Sequence, residues 1–193
     1  MFALYITHTQ VNIDPDVPVP LWGLSDIGTA RAKIAATRPW AKQLKRIISS
    51  DETKAIEMAE ILAAATGISI EIIEGMHEND RSGTGYLPQL EFQKAADWFF
   101  AHPTESFHGW ETAANAQARI VSAIDAVLAT HHPKLPIAFI GHGGVGTLLK
   151  CHLLGQPIGR SGDQSGSGGN LFAFDLADGA VSCDWTAIED WQG

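Results

Sequence analysis

Short apolar runs alternate with longer stretches of helical periodicity along this chain, and three of the runs end on polar residues. That alternation constrains the fold more than any other feature. Strands separated by helices are joined by crossovers, which gives a mostly parallel sheet with helices on both faces. Strands are predicted over residues 2–6, 46–48, 68–73 and 136–140, then over 171–175 and 181–185 around an Asp178-Gly179 hairpin turn. Helices are predicted from the cap Ser25 to about 37, from the cap Asp51 to the stop at Gly67, and over 90–101, 111–130 and 143–154. Residues 10–23 and 74–88 read as loops, and the Gly/Ser-rich run 160–170 as a mobile one. No repeat or linker divides the 193 residues, so the chain reads as a single α/β domain, a three-layer α/β/α sandwich.

Composition narrows the partners. At 45% hydrophobic and 18% charged residues, the chain can fill a core and is not disordered. Its 13 Lys+Arg stand against 22 Asp+Glu, a formal charge of −9, which argues against nucleic acid and against an anionic membrane surface. A small phosphorylated ligand stays possible, because a few local cations can hold one inside an acidic protein. Cys151 and Cys183 are too few for a disulfide framework and read as free thiols. Residues 1–5 have no basic signal-peptide start, and no run approaches the ~18 apolar residues of a membrane span. The expectation is a soluble cytoplasmic protein.

In sheets of this kind ligands gather at the carboxyl ends of the strands. Three such ends are polar here: Thr7-His8-Thr9, Ser49-Ser50 and Gly141-His142-Gly143-Gly144. His142 is followed by two glycines that open a helix, where free backbone N–H groups and a partial positive charge favour an anion. His8 ends another strand, so two imidazoles can flank one anion. A neutral imidazole can attack phosphorus, and a second can donate to the phosphoryl oxygens. Lys54, in the first turn after Ser49-Ser50, adds charge at the same edge. Each residue also has an ordinary reading: packing or solvated histidines, a glycine turn that lets helix and strand approach, a solvated lysine. Glu78 lies among His77, Asn79 and Asp80, either as a solvated polar loop or as a metal site on His77, Glu78 and Asp80, although the spacing matches no His-Glu-x-x-His signature. His102, His108, His131 and His132 read as surface residues, His152 as a helix-packing one, and Trp98, Phe99 and Phe100 as core. The run 161–169 lacks Gly-Lys-Ser/Thr, so it is no nucleotide P-loop, but it can act as a flap beside the pocket.

Taken in order, strand-His8, then Ser49-Ser50-Asp51-Glu52-Thr53-Lys54, then Glu78, then Gly141-His142-Gly143-Gly144 resembles the histidine phosphatase superfamily, the phosphoglycerate mutase-like proteins. The match spans nearly the whole chain. Leu24-Ser25-Asp26-Ile27-Gly28-Thr29-Ala30-Arg31-Ala32 is similar to the family's Leu-Ser-x-x-Gly-x-x-Gln-Ala helix start, and Gly109 to Glu111, with Arg119 further on, to its Gly-Glu-Ser segment. The resemblance implies that His8 takes the phosphoryl group as a phosphohistidine that water then hydrolyses. It implies that Glu78 protonates the leaving oxygen and that His142 braces the phosphoryl oxygens, with no metal and no cofactor. Thr7, Thr9, Lys54, Arg81 and Gly143 are then the candidate substrate-binding residues.

Two departures stand out. Where the family has Arg-His-Gly, this chain has Thr7-His8-Thr9, and the family's second phosphate arginine falls on Lys54. A charge-assisted hydrogen bond is worth roughly 1.5–3 kcal/mol, so losing one guanidinium slows a reaction about ten- to a hundredfold. Lys54 keeps the charge without the bidentate fork. Arg81, on the loop after Glu78, is a candidate replacement. The expected function is a metal-independent phosphomonoester hydrolase acting on a small phosphorylated substrate. The alternative is a catalytically weak or inactive homologue that binds a phosphorylated ligand. A mutase fits less well, since it must retain the phosphoryl group under a larger cap.

Overall fold

The computed structural model describes residues 1–193. Six strands, β1 (Phe2–Thr7), β2 (Arg46–Ser49), β3 (Ile70–Ile72), β4 (Ile137–Gly141), β5 (Asn170–Asp175) and β6 (Val181–Ala187), form one sheet in the order β3-β2-β4-β1-β5-β6. The first four are parallel, and β5 and β6 add an antiparallel edge. The helices are α1 (Asp26–Ala36), α2 (Pro39–Gln43), α3 (Thr53–Thr66), α4 (Gln89–Ala101), α5 (Ala113–Leu128) and α6 (Gly143–Leu153).

Strand alternation sorts the core into two halves. Leu4 and Ile6 of β1, with Ala138 and Ile140 of β4, pack against α1, α2 and α3. Their neighbours Ala3, Tyr5, Ile137 and Phe139 face the other way, against α4, α5 and α6. Both faces of the central strands are therefore covered, and the architecture is the expected three-layer sandwich. No helix is long and apolar enough to cross a membrane.

Local signals set most boundaries. Ser25 Oγ accepts from the Gly28 N–H at 3.1 Å, and Gly67 ends α3 in a left-handed conformation with φ 73°. Three details differ from the sequence reading. Glu52, not Asp51, sits at the start of α3, and Asp51 is exposed. α2 escapes sequence reading because Pro39 looks like a stop, whereas proline suits the first position of a new helix. His152 is exposed rather than packed. α2 buries Trp40 completely, with its indole N–H donating to the Ile188 carbonyl at 3.4 Å. Trp40→Ala should destabilise the fold by about 3–5 kcal/mol, measured as a lower urea midpoint; an unchanged midpoint would mean that this half of the core closes over the loss.

Register brings the polar strand ends together. Thr7 pairs with Gly141 and Ser49 with Ile140, so β4 lies between the other two. The His8 N–H donates to the Gly141 carbonyl at 3.0 Å, and the Ser50 N–H to the Ile140 carbonyl at 2.9 Å. The segment before β5 closes over this edge. Gly168 and Gly169 have φ 83° and 71°, a conformation glycine adopts without strain, and the Gly169 N–H donates to the His8 carbonyl at 2.8 Å. Arg31 donates to the Gly168 and Gly169 carbonyls, both at 3.0 Å, so this Gly/Ser-rich run, expected to be mobile, is tied down where it passes His8.

Candidate active site

His8 is held by its own backbone neighbour. Its Nδ1 lies 2.8 Å from the Thr9 carbonyl oxygen, an atom that can only accept. Nδ1 therefore carries the ring proton, and Nε2 carries the lone pair. Burial and the nearby Lys54 charge push the His8 pKa down to about 4, against smaller upward pulls from the Thr9 carbonyl and from Glu52 and Glu78. The ring is thus neutral at pH 7, the form that can act as a nucleophile.

The His142 ring faces His8, with centroids 5.3 Å apart and planes at 64°. It is fully buried, and its backbone is fixed by Tyr5: the Tyr5 hydroxyl accepts from the His142 N–H and donates to its carbonyl, both at 3.1 Å. His142 Nε2 lies 2.8 Å from Ser50 Oγ. That hydroxyl also accepts the Glu52 N–H at 3.3 Å, and we assign its own proton to His142 Nε2 as acceptor. The neutral ring is then protonated at Nδ1. Nδ1 is buried and has no hydrogen-bond partner. A buried donor without an acceptor costs about 1–3 kcal/mol, so one on a ring packed beside His8 marks a place for an acceptor. Burial, with the neighbouring His8 next, holds the His142 pKa well below its ordinary value.

Lys54 is buried at this edge rather than solvated. Its ammonium donates to the Glu52 carboxylate, in close contact, and to the Val19 carbonyl at 2.9 Å. Its charge still reaches His8, but two of its three donors are taken. Glu52, which the sequence motif contains without a role of its own, is the hub here. Its other oxygen accepts the Glu78 N–H at 2.8 Å and lies 3.6 Å from His142 Nε2. Burial raises the Glu52 pKa, but Lys54 outweighs it and keeps the group ionised.

The helix N-terminus at Gly143, expected to be open for an anion, already holds one. The Glu78 carboxylate accepts the Gly144 and Val145 N–H groups, both at 3.0 Å, and its own neighbour Asn79 N–H at 3.0 Å. Burial raises its pKa, while Arg81, His142 and these amides lower it, with a net shift down. Arg119 of α5 fixes the segment from behind, donating to the His77 carbonyl at 2.8 Å and the Glu78 carbonyl at 3.3 Å while pairing with Glu111 at 2.6 Å. Asn79 is buried, with its amide Nδ2 unpartnered. Arg81 lies over the Phe92 ring, 5.0 Å from its centroid, and 5.9 Å from that of Trp110.

A cavity of about 440 Å³ opens over His8, with Glu78, Asn79, Arg81, Gly143, Arg160 and Gln164 among its walls. A second, of about 820 Å³, lies between residues 15–21 and 77–86 and shares Glu78, Asn79 and Arg81 with the first. Thr7 and Thr9 do not present hydroxyls to this space. Thr9 donates to the Gly28 carbonyl at 2.8 Å, and Thr7 bonds Asn170 and Gln164. Their effect on the site passes through the groups they hold. His77, Glu78 and Asp80 do not converge: His77 Nδ1 meets the Glu78 carbonyl, Asp80 accepts the Ser82 N–H, and no three His, Cys, Asp or Glu side chains are grouped to hold a metal ion.

The buried rings couple stability to pH. Between pH 6.5 and about 4 the unfolded chain binds a proton at His8 that the folded chain refuses. Stability should be highest above pH 6.5 and fall through that window, with His142 acting in the same direction. Ionised Glu52 and Glu78 extend the loss below pH 4.5. Urea unfolding at about pH 7 and about pH 5 measures this; equal stability at both would contradict the burial of neutral rings.

Two imidazoles at adjacent strand ends, a carboxylate at the next loop and a glycine-opened helix form the pattern of one family. The chain belongs to the histidine phosphatase superfamily, branch 1, whose family model matches residues 8–185. Its fold is similar to that of a mycobacterial glucosyl-3-phosphoglycerate phosphatase solved with inorganic phosphate, at 20% identity and TM-score 0.81, covering 98% of this chain and 99% of that one. It is similar to Bacillus stearothermophilus YhfR at 19% identity and TM-score 0.81, covering 97% and 99% of the two chains. It is also similar to a putative alpha-ribazole-5'-P phosphatase of Escherichia coli at 17% identity and TM-score 0.75, covering 97% and 98%. No curated protein matches the sequence closely.

Proposed function

We propose that this protein hydrolyses small phosphomonoesters through a phosphohistidine on His8. The observation that carries the reading is the buried, unpartnered Nδ1 of His142 beside a neutral His8 whose Nε2 bears the lone pair. In the first step the Nε2 lone pair forms a bond to phosphorus as the ester P–O bond breaks. Glu78 gives its proton to the departing oxygen, and the alcohol leaves. In the second step water attacks phosphorus, Glu78 takes back a proton, and the P–N bond breaks with its electron pair returning to Nε2. His142 Nδ1–H donates to a phosphoryl oxygen throughout, where charge accumulates.

Glu78 needs a proton for the first step, yet its carboxylate is held ionised on the α6 N-terminus. A phosphoryl group competes for those same amides and brings like charge beside the carboxylate. Both effects raise its affinity for a proton. The route calls on no metal ion.

A second reading is favoured by particular contacts. Thr7 and Lys54, which stand where the resemblance puts two arginines, are tied to Asn170 and Glu52. A site whose two motif positions offer no free guanidinium can bind a phosphorylated ligand while turning it over slowly. Incubation with p-nitrophenyl phosphate and a chelator separates the two. Turnover, together with an acid-labile phosphoryl group on the peptide containing His8, supports the hydrolase; saturable phosphate binding without either supports the binder.

A further inference from the structure

Gln164 lies in the Gly/Ser-rich segment that closes over β1, and no sequence motif singles it out. Its side-chain amide is fixed by a network whose donors and acceptors can be assigned. Asn170 Nδ2 lies 2.9 Å from the Ser165 carbonyl, which can only accept, so that atom is the donor end of Asn170. The same Nδ2 lies 2.9 Å from Gln164, which must then present its oxygen. Thr7 Oγ1 accepts the Asn170 backbone N–H at 3.0 Å, and its one proton goes to that same oxygen at 2.8 Å, the nearer of two acceptors, the other being the Asn170 carbonyl at 3.2 Å. Gln164 Oε1 thus faces inward, held by two donors. Its NH₂ group faces the other way, against Gly143, where a side chain at that position would collide with Nε2. No protein acceptor takes its two protons, and both Gln164 and Gly143 border the cavity over His8.

We propose that Gln164 is a phosphate ligand, its amide donating to a phosphoryl oxygen at the mouth of α6, and that Thr7 is the positioning residue that turns the amide that way. The inference rests on the hydrolase reading for where the phosphoryl group sits. Its chemistry is a compensation. The short residue at position 7 cannot reach the anion. It leaves room beneath the closing segment and supplies the hydroxyl that orients an amide from that segment. One neutral donor pair replaces a charged fork, so the site binds phosphate more weakly than a fork would but keeps a donor aimed at the same group.

Calorimetric binding of inorganic phosphate tests this with Gln164→Glu, Thr7→Val and Thr7→Ser. Glutamate preserves the inward-facing oxygen and its two bonds, so the segment stays in place, while the outward NH₂ becomes an anionic oxygen. Phosphate binding should weaken by about tenfold or more, with KM for p-nitrophenyl phosphate rising in parallel. Thr7→Val should weaken binding too, and Thr7→Ser should restore it. Gln164→Ala gives the same direction should the glutamate variant not fold. Unchanged phosphate affinity in Gln164→Glu or Gln164→Ala, with His8-dependent turnover intact, would overturn the inference and leave the hydrolase reading standing. A wild-type protein that neither binds phosphate nor turns over ester would end both.

Discussion

Replacing His8 by Ala should bring phosphomonoester turnover to background, a loss of about 10³-fold or more, the scale on which removal of a covalent nucleophile acts. Nothing else at this strand edge offers a comparable nitrogen. His142 Nε2 is engaged by Ser50, and by the tautomer argument its Nδ1 bears a proton. Lys54 is buried against Glu52. The imidazole of His8 makes one hydrogen bond to protein, to the Thr9 carbonyl, so its removal leaves the sheet and both cores in place. The same variant should show a shallower loss of stability between pH 6.5 and about 4, because the ring that resists protonation is gone. A variant with wild-type turnover would remove His8 from the chemistry.

The second large effect is expected at Glu78. Glu78→Gln should slow turnover about 10²- to 10⁴-fold, the contribution of a positioned proton donor. Glutamine can still accept the α6 amides through one oxygen, so the segment pinned by Arg119 keeps its place. It cannot deliver a proton. The loss should be greater for an alkyl phosphate, whose leaving oxygen needs protonation, than for p-nitrophenyl phosphate, whose leaving group departs as a stable anion. Inorganic phosphate binding should hold or tighten, since the resident carboxylate no longer competes for the amides of Gly144 and Val145. An equal loss with both esters would make Glu78 a structural cap, not an acid.

How much of this was readable beforehand follows from which residues act locally. The parallel order of the strands and the sites at their ends come from short-range periodicity and from glycine and serine punctuation, and Ser25, Gly67 and His142 stand at the predicted joints. The pairing of His8 with His142 was legible because two strand ends must meet at one edge of such a sheet. The contacts that tune the site were not. Glu52 and Lys54 are near neighbours in sequence, but the Val19 carbonyl that meets the ammonium comes from a distant segment. Tyr5 reads as a core strand residue, and only the register of β1 against β4 puts its hydroxyl on the His142 backbone. The amides of α6 read as an open anion site because nothing in sequence brings Glu78, far back along the chain, to fill them. Arg81, a candidate replacement fork, stacks on Phe92 at the wall of both cavities, from where its charge reaches Glu78 and His142.

The most direct measurement is a crystal structure grown at saturating inorganic phosphate. The phosphorus should lie in line with His8 Nε2, with one phosphoryl oxygen accepting from His142 Nδ1 and the Glu78 carboxyl displaced from the α6 amides. A phosphate seated instead in the larger cavity beside residues 15–21, with His142 Nδ1 still unpartnered, would contradict the pairing of the two rings around one anion.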